Sequence, residues 1–458
     1  MKYTVLLLSV FASLSFASEI KSGGDTTTSK QGANAFSQPA TNLPLSDRID
    51  FSVGNSFFRN PWVSAPASTD ARDGLGPLFN TNGCQNCHIK DGRGHLPLEG
   101  DQNAVSLLIR LSIPALTDTQ KKQLILSGNI PEPTYGGQLQ DFALPGEKPE
   151  GRIVVKFDYH TETFADGHTV ELRKPIISIA DLNYGAMHPN TQMSARIAPP
   201  MIGLGLLESI PEATLLAIAD QQNKDNNGVS GRPNYVWDVA QDKTVVGRFG
   251  WKAGQPNLMQ QNAAAFNGDL GLTSALFADE NCSTGQDLCQ RLPNGGNPEV
   301  SEKILNFVEF YSQHLAVPMR RNLSDPLVQK GETLFQEAGC ASCHQSNLKT
   351  AARSNRPALS EQTIHPYTDL LLHDMGEGLA DNRGEFLANG QEWRTAPLWG
   401  IGYTHEVNGH TEYLHDGRAR TEMEAILWHG GEAKASQQAV LGFDARQRAA
   451  LIAFLKSL

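Results

Sequence analysis

Two stretches of the chain carry the same chemistry at the same offsets. "LFNTNGCQNCH" (Leu78–His88) and "LFQEAGCASCH" (Leu334–His344) share Leu, Phe, Gly, Cys, Cys and His. In an exported protein, Cys-x-x-Cys-His reads as a site of c-type haem attachment. The two thiols can form thioethers to the porphyrin edge, and the next residue brings an imidazole beneath the iron. Cys84, Cys87 and His88 would hold one haem, and Cys340, Cys343 and His344 a second. A zinc ribbon needs its cysteine pairs about 15–20 residues apart, whereas these lie 256 apart. A thioredoxin-like pair needs a βαβ setting, and none is visible.

Other residues could do chemistry nearby. Glu208 is the single acid in the apolar run "MIGLGLLESIP". A buried carboxylate there is a candidate proton shuttle; as a plain alternative it would sit at the N-terminus of the following helix. In "NKDNNGVSGRPN", Asn223, Asp225 and Asn227 alternate ahead of Gly228, like the first half of a calcium-binding loop. Position 12 of that loop is Asn234 rather than Glu, so an Asn/Gly-rich turn is the competing reading.

Several elements would have to position these groups. "TDARDGLGPLFNTNG" suggests a short helix ending at Gly83, ahead of the first cysteine pair. Ser324 is a candidate N-cap for a helix over "DPLVQKGETLFQEAG", leading to the second pair. "IPEATLLAIADQQ", "VSEKILNFVEFYSQHL" and the terminal "DARQRAALIAFLKSL" have helical spacing. Between about Arg152 and Ile179 the period changes to alternation on either side of Asp166 and Gly167, the pattern of a β-hairpin.

The bulk of the chain bounds the setting. Met1–Ala17 reads as a secretory signal peptide cleaved after Ala17, which gives a periplasmic protein. No later run has about 20 continuous apolar residues, so no membrane span is expected. The formal charge of −11, or −12 without Lys2, leaves no electrostatic case for binding nucleic acid. Residues 18–45, rich in Ser, Thr, Gly and Asn, read as a flexible lead-in. Cys282 and Cys289, the only cysteines outside the echoed phrases, suit a local disulfide in an oxidising compartment.

"GETLFQEAGCASCH", "EWRTAPLWGIG" and "EYLHDGRARTEMEAILWHGGEA" resemble the superfamily of di-haem cytochrome c peroxidases and MauG. "PLFNTNGCQNCHIKDGRG", "ARIAPPMIGLGLLESIP", "NGVSGRPN", "GRFGWKA" and "DLLLHDMGEGLAD" narrow the likeness to its di-haem (thiol) oxidoreductase branch. The resemblance runs from about Phe51 to Leu458. It implies a mainly α fold of two tandem cytochrome c-like domains. Here they would span 46–318, enlarged by insertions that include the hairpin, and 319–458. It also implies a distal iron ligand fourteen positions after His415 of "YLHDG", where this chain has His429. His429 would then complete a bis-histidine site on the second haem. Met375 is the runner-up ligand, a polar residue near a helix end is the alternative for His429, and His415 would hold the haem edge.

No residue matches His429 in quality for the first haem. His95 lies too close to His88, and Met187, His188, Met193 and Met201 crowd one stretch without a clear ligand. The first haem is therefore expected to be the reactive one, with Glu208 in the place of the family's distal-pocket glutamate. Trp251 is the candidate conduit between the haems, with Trp393, Trp399 and Trp428 as rivals.

The expected activity is peroxidase-like. It pairs hydrogen peroxide or a related oxidant with a small periplasmic electron donor, such as a cytochrome or cupredoxin. A plain electron carrier is the rival class, and an oxidase of protein or thiol substrates the third.

Overall fold

The computed structural model describes residues 19–97, 105–225 and 227–458 of the chain. The proposed signal peptide, Met1–Ala17, lies outside them. Among the described residues, no helix is long and apolar enough to cross a membrane.

A mainly α fold is not what these residues form. The chain is 33% helical and 18% strand, and its sheets are small two-stranded pairs. The buried cores also draw residues from both sides of residue 318. Phe36, Leu206 and Val317 share one core with Ile364, Trp399 and Tyr403. Leu107, Ile109 and the hairpin's Leu172 share another with Leu334, Phe335 and Phe454. Short strands paired across long loops have no periodicity over a sequence window, which is why helical spacing dominated the sequence pattern.

Two helix crossings support the regions around the cysteine pairs. Asp47–Arg59 packs on Glu302–Gln313, and Pro326–Glu337 packs on Ala445–Ser457. Each crossing is close because a glycine sits at the contact. A Cβ on Gly54 would collide with the Phe307 carbonyl oxygen, and one on Gly331 with that of Ala450. Asp325, rather than Ser324, caps Pro326–Glu337 by accepting from the Leu327 N–H. Ahead of the first cysteine pair there is no matching helix. Gly74, Gly76 and Pro77 interrupt it, leaving a single turn at Asp70–Arg72 and a two-residue strand, Leu78–Phe79.

Strand pairs carry much of the site. Leu107–Ser112 pairs with Gln192–Ile197, and Leu372–Asp374 with Glu392–Arg394. The long hairpin Arg152–Thr163/Thr169–Ala180 turns at Asp166–Gly167, where Gly167 takes a positive φ. It clasps the C-terminal region through Arg173, which bonds Glu412 and the Gly417 carbonyl. The segment expected as a flexible lead-in is packed as far as it is described. Ala35, Phe36, Ala40 and Leu43 are buried, and backbone bonds tie Thr28 to Val317 and Ala40 to His314. Four apolar side chains suffice to anchor it. Cys282 and Cys289 form a disulfide.

Candidate functional site

Each cysteine pair sits on a single 3-10 turn, Cys84–Asn86 or Cys340–Ser342. In both, the histidine N–H closes back on the first cysteine's carbonyl, at 3.0 Å for His88 and 3.1 Å for His344. Each turn opens onto a cavity. The first, of about 340 Å³, is lined by Cys84, Cys87 and His88. The second, of about 190 Å³, is lined by Cys340, Cys343 and His344.

The imidazoles are oriented by their backbone. Nδ1 of His88 is held 2.8 Å from the Pro199 carbonyl, and Nδ1 of His344 the same distance from that of Tyr367. A neutral ring that donates from Nδ1 keeps its lone pair on Nε2, the form a metal binds. Burial holds both rings in this neutral state, bringing each down to about 4. Desolvation at the cavity wall pushes the Cys84 and Cys340 thiols up to about 12 and raises Cys87 and Cys343, although only Cys87 is fully buried. Neutral thiols beside a neutral, oriented imidazole at a cavity wall fit a covalently held porphyrin.

Beyond this shared arrangement the cavities diverge. His429 lines the second, with Nδ1 held 2.7 Å from the Ala425 carbonyl and the ring kept neutral by burial. It shares the cavity with His344 and acts electrostatically on it, so two oriented imidazoles face one space. Met375 and His415 line it too. His415 is stacked on Trp393 with ring centroids 3.7 Å apart, and burial keeps it neutral, at about 4.

The first cavity has no second histidine among its described lining residues, and Met201 is the one sulfur beyond the cysteine pair. Its wall is charged instead. Arg110, Arg196, Arg383, Glu385 and Asp269 all contribute. Burial raises Asp269, which accepts from Gln138 at 2.9 Å. Trp251 lines both cavities and donates from its indole to the Ile197 carbonyl at 2.8 Å. Trp399 lines only the first and Trp393 only the second, and Trp428 lines neither.

Glu208 and the residues of the calcium-like loop take nearby partners. Glu208 is absent from the cavity wall. Its carboxylate accepts from the Leu258 N–H at 2.8 Å and from Gln313 at 2.8 Å, and it pairs with Arg353 at 3.0 Å. It is a cap and ion-pair partner, because the groups that claim it are brought from distant parts of the chain. In the calcium-like loop the three residues are held separately. Glu212–Asp225 is a helix, so Asn223 and Asp225, two positions apart, face different sides. Asn223 donates to Ala219, Asp225 accepts from Gln221, and Asn227 accepts from Val229. Of the weaker ligand candidates, His95 contacts His410, while Met187, His188 and Met193 lie off the cavity wall.

The charged wall escaped the sequence reading because its residues share no spacing. So did His373, which lines the second cavity between Asp369 (2.9 Å from Nε2) and Glu432 (2.7 Å from Nδ1). The profile of a protein family described as "Di-haem oxidoreductase, putative peroxidase" matches residues 16–458. A search among curated proteins returns no match.

Proposed function

Because the chain belongs to the di-haem oxidoreductase family, we propose that it is an exported enzyme that reduces hydrogen peroxide or a related oxidant. Cys84, Cys87 and His88 hold one haem c, and Cys340, Cys343 and His344 the other. The single observation that carries this reading is the asymmetry of the cavities: one has a second oriented imidazole, His429, on the same wall as His344, and the other has none beside His88 among its described lining residues. Haem iron supplies one-electron storage when both axial positions are filled by strong ligands, and oxidant chemistry when one is open.

The protein's own groups divide the remaining work. His344 and His429 make the second site the electron relay. Trp251, on the wall of both cavities, is the bridge between them. Reduction of hydrogen peroxide to two waters consumes two electrons and two protons. Of the carboxylates on the first wall, Asp269, raised by burial, is the one suited to hold and deliver a proton. Glu385 remains an anion. The electrons come from a small exported donor such as a cytochrome or cupredoxin. Export to the periplasm is supported by the leader-like Met1–Ala17 and by the Cys282–Cys289 disulfide.

Met201 favours one second reading. If its thioether ligates the first iron, both sites are closed and the protein is an electron carrier. Titration of the fully reduced protein with hydrogen peroxide separates the two. The enzyme is oxidised at once by a stoichiometric amount, and the carrier stays reduced.

A further inference from the structure

Three guanidiniums meet at the wall of the first cavity from separate parts of the chain. Arg110 lies on Leu107–Ser112 and Arg196 on its partner strand Gln192–Ile197, while Arg383 comes from a distant loop. Arg196 is 7% exposed and Arg383 1%. Both lean on one carboxylate, Glu385, at 2.7 and 3.2 Å. Burial alone would raise Glu385, yet Arg196, Arg383 and Arg110 together hold it at about 2. The next acid, Asp381, is 3.9 Å from Arg196, beyond hydrogen-bond range, and is taken by Lys252 at 3.0 Å.

Asp269 acts on Arg110 from the same wall, so the charges come close to matching, and what is left over is two idle donors. Arg196 Nη2 and Arg383 Nε are buried without a hydrogen-bond partner. A buried charged donor left unpaired is costly, so such groups on a cavity wall point to an anion that completes them. Planar guanidiniums in a group match the two oxygens of a carboxylate better than a point charge would. The arginines shared between the cavities differ, since Arg394 is spent on the Gly250 and Thr395 carbonyls and Arg93 on that of Glu412.

We infer that Arg110, Arg196 and Arg383 form a carboxylate-binding seat in the first cavity. The carboxylate has two possible sources, a propionate of the porphyrin held there or an acid group on a substrate. The inference rests on the proposed function only in taking the first cavity to be the haem site.

The test uses the holoprotein, with its haems counted first by pyridine haemochrome. Fewer than two haems would count against the proposed function and not against the seat. With two present, the midpoint potential of the first haem is measured beside a spectral titration with benzoate. If a propionate fills the seat, Arg383→Gln moves the potential to more negative values, Arg383→Lys restores part of it, and wild type ignores benzoate. If a substrate acid fills it, benzoate perturbs the wild-type spectrum saturably, and Arg383→Gln weakens its binding about tenfold or more. Arg110→Gln, at the strand pair's edge of the seat, is the second variant if Arg383→Gln does not fold. An unmoved potential together with no benzoate response overturns the inference.

Discussion

The two cavities begin alike and end differently. Each opens from a 3-10 turn bearing two cysteine thiols and an imidazole whose Nδ1 is fixed by a backbone carbonyl. On the wall of the second, a helix end adds His429, held the same way. On the wall of the first stand Asp269, beside the cysteine pair, and Glu385 with the arginines, on strands and loops drawn from far apart. The cysteine-histidine turn is duplicated, whereas the rest of the wall is not. In the proposed enzyme that difference decides which site stores an electron and which meets the oxidant.

The comparison breaks most completely if the attachments are not independent. Replacing Cys84 and Cys87 by serine should lower the haem count from two to one, and so should replacing Cys340 and Cys343, with pyridine haemochrome as the measure. Next in size, Asp269→Asn should slow peroxide reduction by about 10²–10⁴-fold, the usual worth of general acid–base catalysis. Glu208→Gln should leave that rate alone, since its carboxylate is committed to Leu258, Gln313 and Arg353. A slow Glu208→Gln enzyme would instead assign the proton-shuttle role to Glu208.

Stability should report the charged wall. Glu385→Gln leaves Arg196 and Arg383 facing each other without their anion, and should cost about 3–5 kcal/mol in denaturant unfolding. The smallest effect belongs to the second cavity. Burial would lower His373, but hydrogen bonds to Asp369, Cys343 and Glu432 outweigh it and raise the ring well above its ordinary range. Its contribution to stability is then complete below the unfolded histidine pKa and lost as pH rises through the folded one. Wild type should lose stability toward alkaline pH, and His373→Asn should flatten that slope.

What the sequence made legible follows from how local each feature is. The cysteine pairs and their histidines were plain because attachment chemistry needs them adjacent. The hairpin was plain because alternation and Asp166-Gly167 lie within one window. His429 stood out only through the resemblance, since nothing near Trp428 marks it as a partner of a residue 85 positions earlier. The carboxylate seat was invisible, because strand pairing and a distant loop bring residues 110, 196 and 383 together. The partners of Glu208 were invisible for a related reason. An acid in an apolar run signals burial, and the Arg353 that neutralises it lies 145 residues away.

One spectrum tests the central asymmetry most directly. Electron paramagnetic resonance of the oxidised holoprotein should show one high-spin and one low-spin haem, and His429→Ala should turn the low-spin signal high-spin. Two low-spin haems in the wild type, or a low-spin signal unchanged in His429→Ala, would contradict the account.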